Sequence, residues 1–355
     1  MLRNFIRYRP RSRVMTWLRP LPPPDPEHAP YGIISRDPPI FYHPYWIDDQ
    51  LIPRSSLEPI YRHLGNERAY FLFNWFWQME APKKIKAYRD IEEAHQAQYP
   101  GHRFIHLCNT TRQFQHFGDA GLDAVFCNQN CLVDENLFHP LPDIEKKFEA
   151  VYDGRFINYK RHHLASQISN LALIYDYLPT VDSKMKVTQL KEQFHKAHFF
   201  NHPEGVPYQR LSYEEIDLCL NRCRAGLCLS GVEGAMYASI QYLLAGLPVI
   251  TTHSEGGRDV MFDERFVLVA PATPQGIADT LSQYRHETPP PTLIRQRTLE
   301  LMNIHRQRLI RLVQSIYDTE GTGRDFSQEW PKLFFNKLYH PRKNHRETIA
   351  ELANR

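Results

Sequence analysis

The chain has 355 residues, more than one ordinary core organises, which predicts two domains. Hydrophobic residues make up 42% and charged residues 23%, a globular balance that argues against disorder except at the ends. A formal net charge of +3 excludes a chain-wide polyanion-binding surface, and no nucleic-acid partner is expected.

Residues 1–24 carry Arg3, Arg7, Arg9, Arg11, Arg13 and Arg19 with no acid, interleaved with Phe5, Ile6, Tyr8, Trp17 and Leu18. This mix suits an anionic membrane surface, to which each basic residue contributes about 1 kcal/mol. A solvated terminus or an organelle transit peptide fits the same composition. No run of 18 apolar residues occurs, so no transmembrane helix is expected. Pro10 and the "LPPP" at 21–24 break any apolar leader region. The expected location is cytoplasmic, with peripheral attachment to the inner face of a membrane.

The run 19–45 is proline-rich and reads as an irregular, aromatic-anchored entry. "AYFLFNWFW" (69–77), "RFIHLCN" (103–109) and "DAVFCNQN" (123–130) read as strands, with a polar-faced helix over 81–101 between the first two. Alternation of strand and helix predicts an α/β layer with a parallel sheet. "CLVDENLFHPLPD" (131–143) has the character of a connector. A second series follows, with strands at 148–154, 171–177, 225–230, 247–252 and 265–270. Helical patterns lie at 160–172, 212–223, 235–246 and 273–285. Ser212 and Glu215 form a capping box, and Met236, Ile240, Leu243 and Leu244 share one face of the third of these helices. The six cysteines sit mostly in apolar runs without zinc-site spacing, and free buried thiols are expected.

The familiar motifs for dinucleotide binding, P-loop phosphate binding and serine hydrolysis are missing, and no D-x-D offers a clamp for a metal-bound diphosphate. Two loops remain. In "DGRFINYK" (153–160), Arg155 and Lys160 follow a strand end and precede a helical pattern, an arrangement that can hold an anion without metal. A solvated loop would carry the same residues. In "SGVEGAMYASIQ" (230–241), Glu233 stands in a turn and Gly234 permits close backbone approach. Residues 234–237 offer N–H groups at a helix start, and Gln241 lies about two turns further along. Taken singly, Glu233 and Gln241 also fit a helix cap and a surface glutamine.

Together these loops resemble the C-terminal lobe of GT-B glycosyltransferases, especially the retaining family 4. The family pattern G-R-x4-K is matched by Gly154, Arg155 and Lys160, and its E-x7-E unit by Glu233, Gly234, Ala245, Gly246, Pro248 and Val249. "VDENLFHP" (133–140) is similar to the linker between lobes, and Gly256–Gly257 to the glycine pair after the next strand. The resemblance spans about 130–285. It implies that Arg155 and Lys160 bind the diphosphate of a nucleotide-sugar and that Glu233 holds hydroxyls of the transferred sugar. The backbone of Gly234, Ala235, Met236 and Tyr237 would surround the sugar and distal phosphate. The family's second acid contacts the ribose, and here Gln241 stands in its place. An amide accepts one hydroxyl bond and donates one, so altered nucleotide affinity, or loss of activity, follows from that departure.

The resemblance thus implies an α/β chain of two Rossmann-like lobes around a central cleft. Its parts would be a basic segment 1–24, an acceptor lobe 25–143, a donor lobe 144–325 and a helical tail 326–355. His106 and Asn109, at the end of a strand in the first lobe, are the candidates on the acceptor side. The expected activity is that of a hexosyltransferase-like, retaining, metal-independent enzyme of polysaccharide biosynthesis. It would act on a glycan or lipid-linked glycan, with the nucleotide-sugar as co-substrate and no cofactor. A nucleotide-sugar epimerase and a non-catalytic nucleotide-sugar or membrane-binding scaffold remain open on the sequence.

Overall fold

The computed structural model describes residues 32–45, 57–75, 77, 79–176, 181–284, 288–334, 336–338 and 345–353. The basic segment 1–24 lies outside them. The chain forms two compact units. One runs to Leu132 and resumes at Arg306; the other is Val133–His305.

The first unit builds a five-stranded sheet from β1 (Gly32–Arg36), β2 (Pro39–Tyr45), β3 (Ala69–Trp75), β4 (His102–Cys108) and β5 (Ala124–Phe126), in that spatial order. β1 and β2 pair antiparallel, and β2 to β5 run parallel. Helices α1 (Glu58–Leu64), α2 (Pro82–Gln98) and α3 (Thr111–Asp119) connect the parallel strands. The end of the proline-rich run is therefore a hairpin; the expected irregular entry is corrected here. β1 pairs only as far as Tyr42, so Pro44, which has no N–H, lies beyond the β1 ladder. Every residue of β3 is buried, as a strand covered on both faces requires. The core around it is aromatic: Phe41 stacks on Phe71 at 5.3 Å, and Phe104 meets Phe73 edge-on at 4.8 Å.

The second unit holds β6 (Ala150–Asp153), β7 (Leu171–Ile174), α4 (Val181–Gln193), β8 (His198–Phe199), α5 (Tyr213–Asn221) and β9 (Gly226–Cys228). It continues with β10 (Val232–Glu233), α6 (Tyr237–Leu244), β11 (Val249–Thr251), β12 (Glu255–Gly256), β13 (Val267–Val269) and α7 (Pro274–Gln283). Its six-stranded sheet has the order β13-β11-β9-β6-β7-β8, all pairs parallel. Counting these six in chain order gives 3-2-1-4-5-6, the doubly wound order of dinucleotide-binding folds. The capping box of α5 forms as expected, with Ser212 and Glu215 each bonded to the other's backbone. α6 ends at Gly246, which adopts φ 74°; a Cβ there would also come within 2.5 Å of Pro291.

Helix α8 (Pro291–Thr319) carries the chain back into the first unit, followed by α9 (Phe326–Leu333) and α10 (His345–Ala353). In the second unit Arg295 donates to the carbonyls of Glu135, Phe138 and Leu244. In the first, Arg306 and Arg308 donate to those of Cys131 and Phe126, and Leu352 joins the aromatic core. These contacts are why the unit limits differ from the divisions 25–143 and 144–325 drawn from sequence.

Candidate functional site

In the second sheet the chain winds outward from β6 through β7 and β8, then returns to pair β9 with the other edge of β6. The strand order reverses between β6 and β9. In open α/β sheets the loops after the strands at such a reversal part from one another, and ligands bind in the crevice they leave. Here those loops are 154–161 and 229–236, which carry Arg155, Lys160 and Glu233.

The loop after β6 turns twice, through 3-10 turns at Asn158–Lys160 and His162–Ala165. Arg161 separates them in the left-handed region, at φ 51°, ψ 43°. No α-helix accommodates that backbone, so the helix expected over 160–172 does not form, and no helix dipole backs Lys160. The turns instead bring Lys160 inward. Its ammonium is buried and meets the buried carboxylate of Glu233, 73 residues away in the chain. The two loops are also joined by the Gly231 N–H, which donates to the Tyr159 carbonyl at 3.2 Å. Glu233 is held from the far side by the pairing of β10 with β12, which sets Glu233 opposite Gly256. Arg155 leaves the end of β6 half-buried, with Nε 3.5 Å from the carboxylate of Asp176 beyond β7. His162 is buried against Tyr152 and Phe156. Burial, then the neighbouring Lys160, pushes its pKa down to about 3, so it stays neutral.

Past Glu233, the backbone of Gly234, Ala235 and Met236 leads into α6, whose first residue is Tyr237. Those three N–H groups donate to nothing among the described residues. Gln241 is 5% exposed, and its side-chain amide likewise has no hydrogen-bond partner among them. The next residue fixes the helix: the Tyr242 ring lies over Gly226 of β9, where a Cβ would come within 2.3 Å of it. The Tyr242 hydroxyl accepts from the Asp153 N–H at 2.6 Å, which ties α6 to the end of β6.

The acceptor candidates belong to the first unit. His106 is fully buried, its Nε2 3.0 Å from Glu92, with Phe73, Trp75, Tyr88 and Phe117 around its ring. Asn109 is buried and occupied: Nδ2 donates to the Trp75 carbonyl at 2.6 Å and Oδ1 accepts from the Gln129 N–H at 2.9 Å. Both side chains are buried in the first unit and bonded to its own residues. Sequence reading also missed residues of the second unit. Arg258 is fully buried, and Arg161 donates to the Leu229 carbonyl and the Thr252 hydroxyl, each at 2.6 Å. Asp176 falls inside the strand expected at 171–177 and had no role assigned from sequence. A lone arginine in a loop gives no signal that it will be buried. Among the described residues no group of three or more metal-ligating side chains converges, and the cysteines are free and buried.

No protein-family model and no curated protein matches this chain. Solved structures do. A sucrose-phosphate synthase from Thermosynechococcus elongatus is 13% identical with TM-score 0.52, over 70% of this chain and 68% of that one. A glycosyltransferase from Rickettsia africae is 14% identical with TM-score 0.50, over 72% of each chain. At such identities the likeness is one of fold. The chain has the α/β fold of GT-B glycosyltransferases, built from two Rossmann-like units, as its motifs led us to expect.

Proposed function

We propose that the second unit binds a nucleotide-sugar and that the protein is a hexosyltransferase-like enzyme moving the sugar to a hydroxyl acceptor. One observation carries the reading: at the strand-order reversal, two loops distant in sequence bury an ammonium, Lys160, against a carboxylate, Glu233. The pair matches the two halves of such a donor. Lys160 and Arg155 would neutralise the diphosphate as it leaves, where fixed cations in a water-poor site act most strongly. Glu233 would accept hydrogen bonds from sugar hydroxyls, and Gln241 would meet the ribose. Donor entry exchanges partners: a phosphate oxygen takes Lys160 and the sugar takes Glu233. The bond from the anomeric carbon to the diphosphate breaks, and a bond to the acceptor oxygen forms on the same face. The departing phosphate oxygen receives the acceptor's proton. These steps require neither a metal nor a dedicated base. Fold relatives named as a glycosyltransferase and a sucrose-phosphate synthase are consistent with this reading.

Thermal-shift screening against UDP-, GDP- and ADP-sugars and their diphosphates tests it, because a ligand of the native state alone raises the melting temperature, by about 2.7 kcal/mol of stability at one hundred times Kd. A binding donor should then be turned over with a glycan acceptor, and Arg155→Ala or Lys160→Ala should abolish that turnover. Failure of every member of the panel overturns the reading. An epimer without acceptor adduct identifies an epimerase; binding without transfer or hydrolysis identifies a scaffold.

The acceptor we favour is a lipid-linked glycan of polysaccharide biosynthesis, at the cytoplasmic face of a membrane. The arginines of residues 1–24 support this, and no described helix is long and apolar enough to cross a membrane. Vesicles containing anionic lipid should co-sediment the full chain and release a form lacking 1–24. Equal binding of both removes the membrane partner.

A further inference from the structure

Arg258 has no role in the reaction proposed above, yet it is the most completely engaged cation of the second unit. Its guanidinium is fully buried beneath the loop that carries Glu233. One terminal nitrogen donates to the carbonyls of Cys228 at 2.9 Å and Ser230 at 2.8 Å. The other donates to the Thr251 hydroxyl at 2.8 Å and the Thr252 carbonyl at 2.5 Å. Asp259 receives Nε and balances the charge. The ends of β9 and β11 are thereby locked together by one side chain.

The backbone just before Arg258 grips the same loop. The Glu255 N–H donates to the Gly231 carbonyl at 3.0 Å, and the Gly257 N–H to the Gly234 carbonyl at 2.8 Å. Residues 255–258 thus hold the 231–234 turn at both ends, with Glu233 inside it. The second arginine, Arg161, takes the one carbonyl that Arg258 leaves between Cys228 and Ser230, that of Leu229. A planar five-donor fork suits convergent carbonyls, and an ammonium cannot reproduce that geometry. We infer that Arg258 is a positioning residue: with residues 255–257 it forms a strap that fixes the Glu233 carboxylate, and so sets recognition of the sugar half of the donor. The sugar clause rests on the proposed function; the strap does not.

The test uses the full chain with Arg258→Gln and Arg258→Lys. Without ligand, Arg258→Gln should speed amide hydrogen exchange over 229–236 by tenfold or more and leave β7 unchanged, with Arg258→Lys between it and the wild type. Uniform acceleration across the second unit, or none, overturns the strap. With UDP-glucose, UDP, GDP-mannose and GDP as probes, Arg258→Gln should weaken whichever sugar nucleotide binds at least tenfold more than its own diphosphate. Glu233→Gln should do the same, and the double variant should add little to either. Equal losses on sugar nucleotide and diphosphate, or an additive double variant, overturn the sugar clause. If no member of the full UDP-, GDP- and ADP-sugar panel binds while the exchange pattern holds, the proposed function fails and the strap stands.

Discussion

Each unit has a buried acid–base pair, and the two sit at different places on their sheets. In the first unit, His106 of β4 meets Glu92 of α2 inside an aromatic core. In the second, Lys160 meets Glu233 on loops beyond β6 and β9. Among the described residues the first sheet proceeds from β1 to β5 without reversing, so no parting of loops is set up there. The second reverses between β6 and β9 and parts its loops there. Residue type alone therefore does not mark a site. An ionisable pair inside a packed layer braces the core; the same kind of pair beyond the strand ends, where the order reverses, stands where open α/β sheets bind their ligands.

The largest expected effect breaks the second pair. Lys160→Ala leaves Glu233 buried without a partner, which costs about 3–5 kcal/mol when a buried pair loses one member. Chemical denaturation should show that loss, and diphosphate binding should vanish with it. The matching change in the first unit replaces both partners, His106→Phe with Glu92→Leu. Such replacements by apolar residues range from neutral to about 1–4 kcal/mol stabilising. Donor affinity in that double variant should equal the wild type, because the pair touches only the core. A loss of donor affinity there, with unfolding unchanged, would contradict the division between the units.

How much of this was legible beforehand follows the same line. The alternation of apolar strands with helices placed β3 to β5 and five of the six strands of the second sheet, because parallel strands are continuous apolar runs such as 69–75, but it missed β1, β2 and the two-residue β8. The spacing of Gly154, Arg155 and Lys160 and the turn at Glu233 were legible as two loops that follow strand ends, which is where the structure has them. Their pairing could not be read, since it depends on the left-handed turn at Arg161, a residue type that seldom adopts one. Nor could the strap, since Arg258 reads as a surface charge until its carbonyl partners converge. His106 misled for the opposite reason: a strand end rich in polar residues looked like a rim and proved to be core.

Acid titration sets the two units against each other with smaller effects. In the first, His95 and His102 share a hydrogen bond at 2.9 Å, and burial lowers each to about 4. In the second, burial and Lys160 lower His162 to about 3. All three are neutral when folded, while the unfolded chain takes up protons below about pH 6.5. Their contribution is present in full above that pH and is lost as it falls, down to about 4 in the first unit and about 3 in the second. Burial also lowers His345 in the first unit and His198 and His202 in the second, so each unit carries three such histidines and both lose stability as the pH falls. Hydrogen exchange of β4 and β6 between pH 6.5 and 4.5 reads the units separately. The double variant His95→Phe, His102→Phe should flatten the response of β4 alone; a response that stays steep assigns the acid sensitivity to carboxylates.

The smallest expected effect refines the site within the second unit. Gln241 stands where the resemblance calls for an acid, and its amide has no partner among the described residues. A hydrogen bond to a charged acceptor contributes about 1.5–3 kcal/mol against 0.5–1.5 for a neutral one, so Gln241→Glu has about 1 kcal/mol to gain from a ribose hydroxyl. Burying a new carboxylate near the diphosphate and Glu233 works against that gain. The net change in affinity should stay within tenfold, and its origin is what matters. A ribose contact makes the change depend on the sugar hydroxyls and not on the base. UDP and GDP should shift alike, and a 2′,3′-dideoxynucleoside diphosphate should respond to the substitution only through the carboxylate's repulsion. If the dideoxy compound responds as fully as UDP, Gln241 lies off the ribose, and the proposed donor site reduces to the two loops of Lys160 and Glu233.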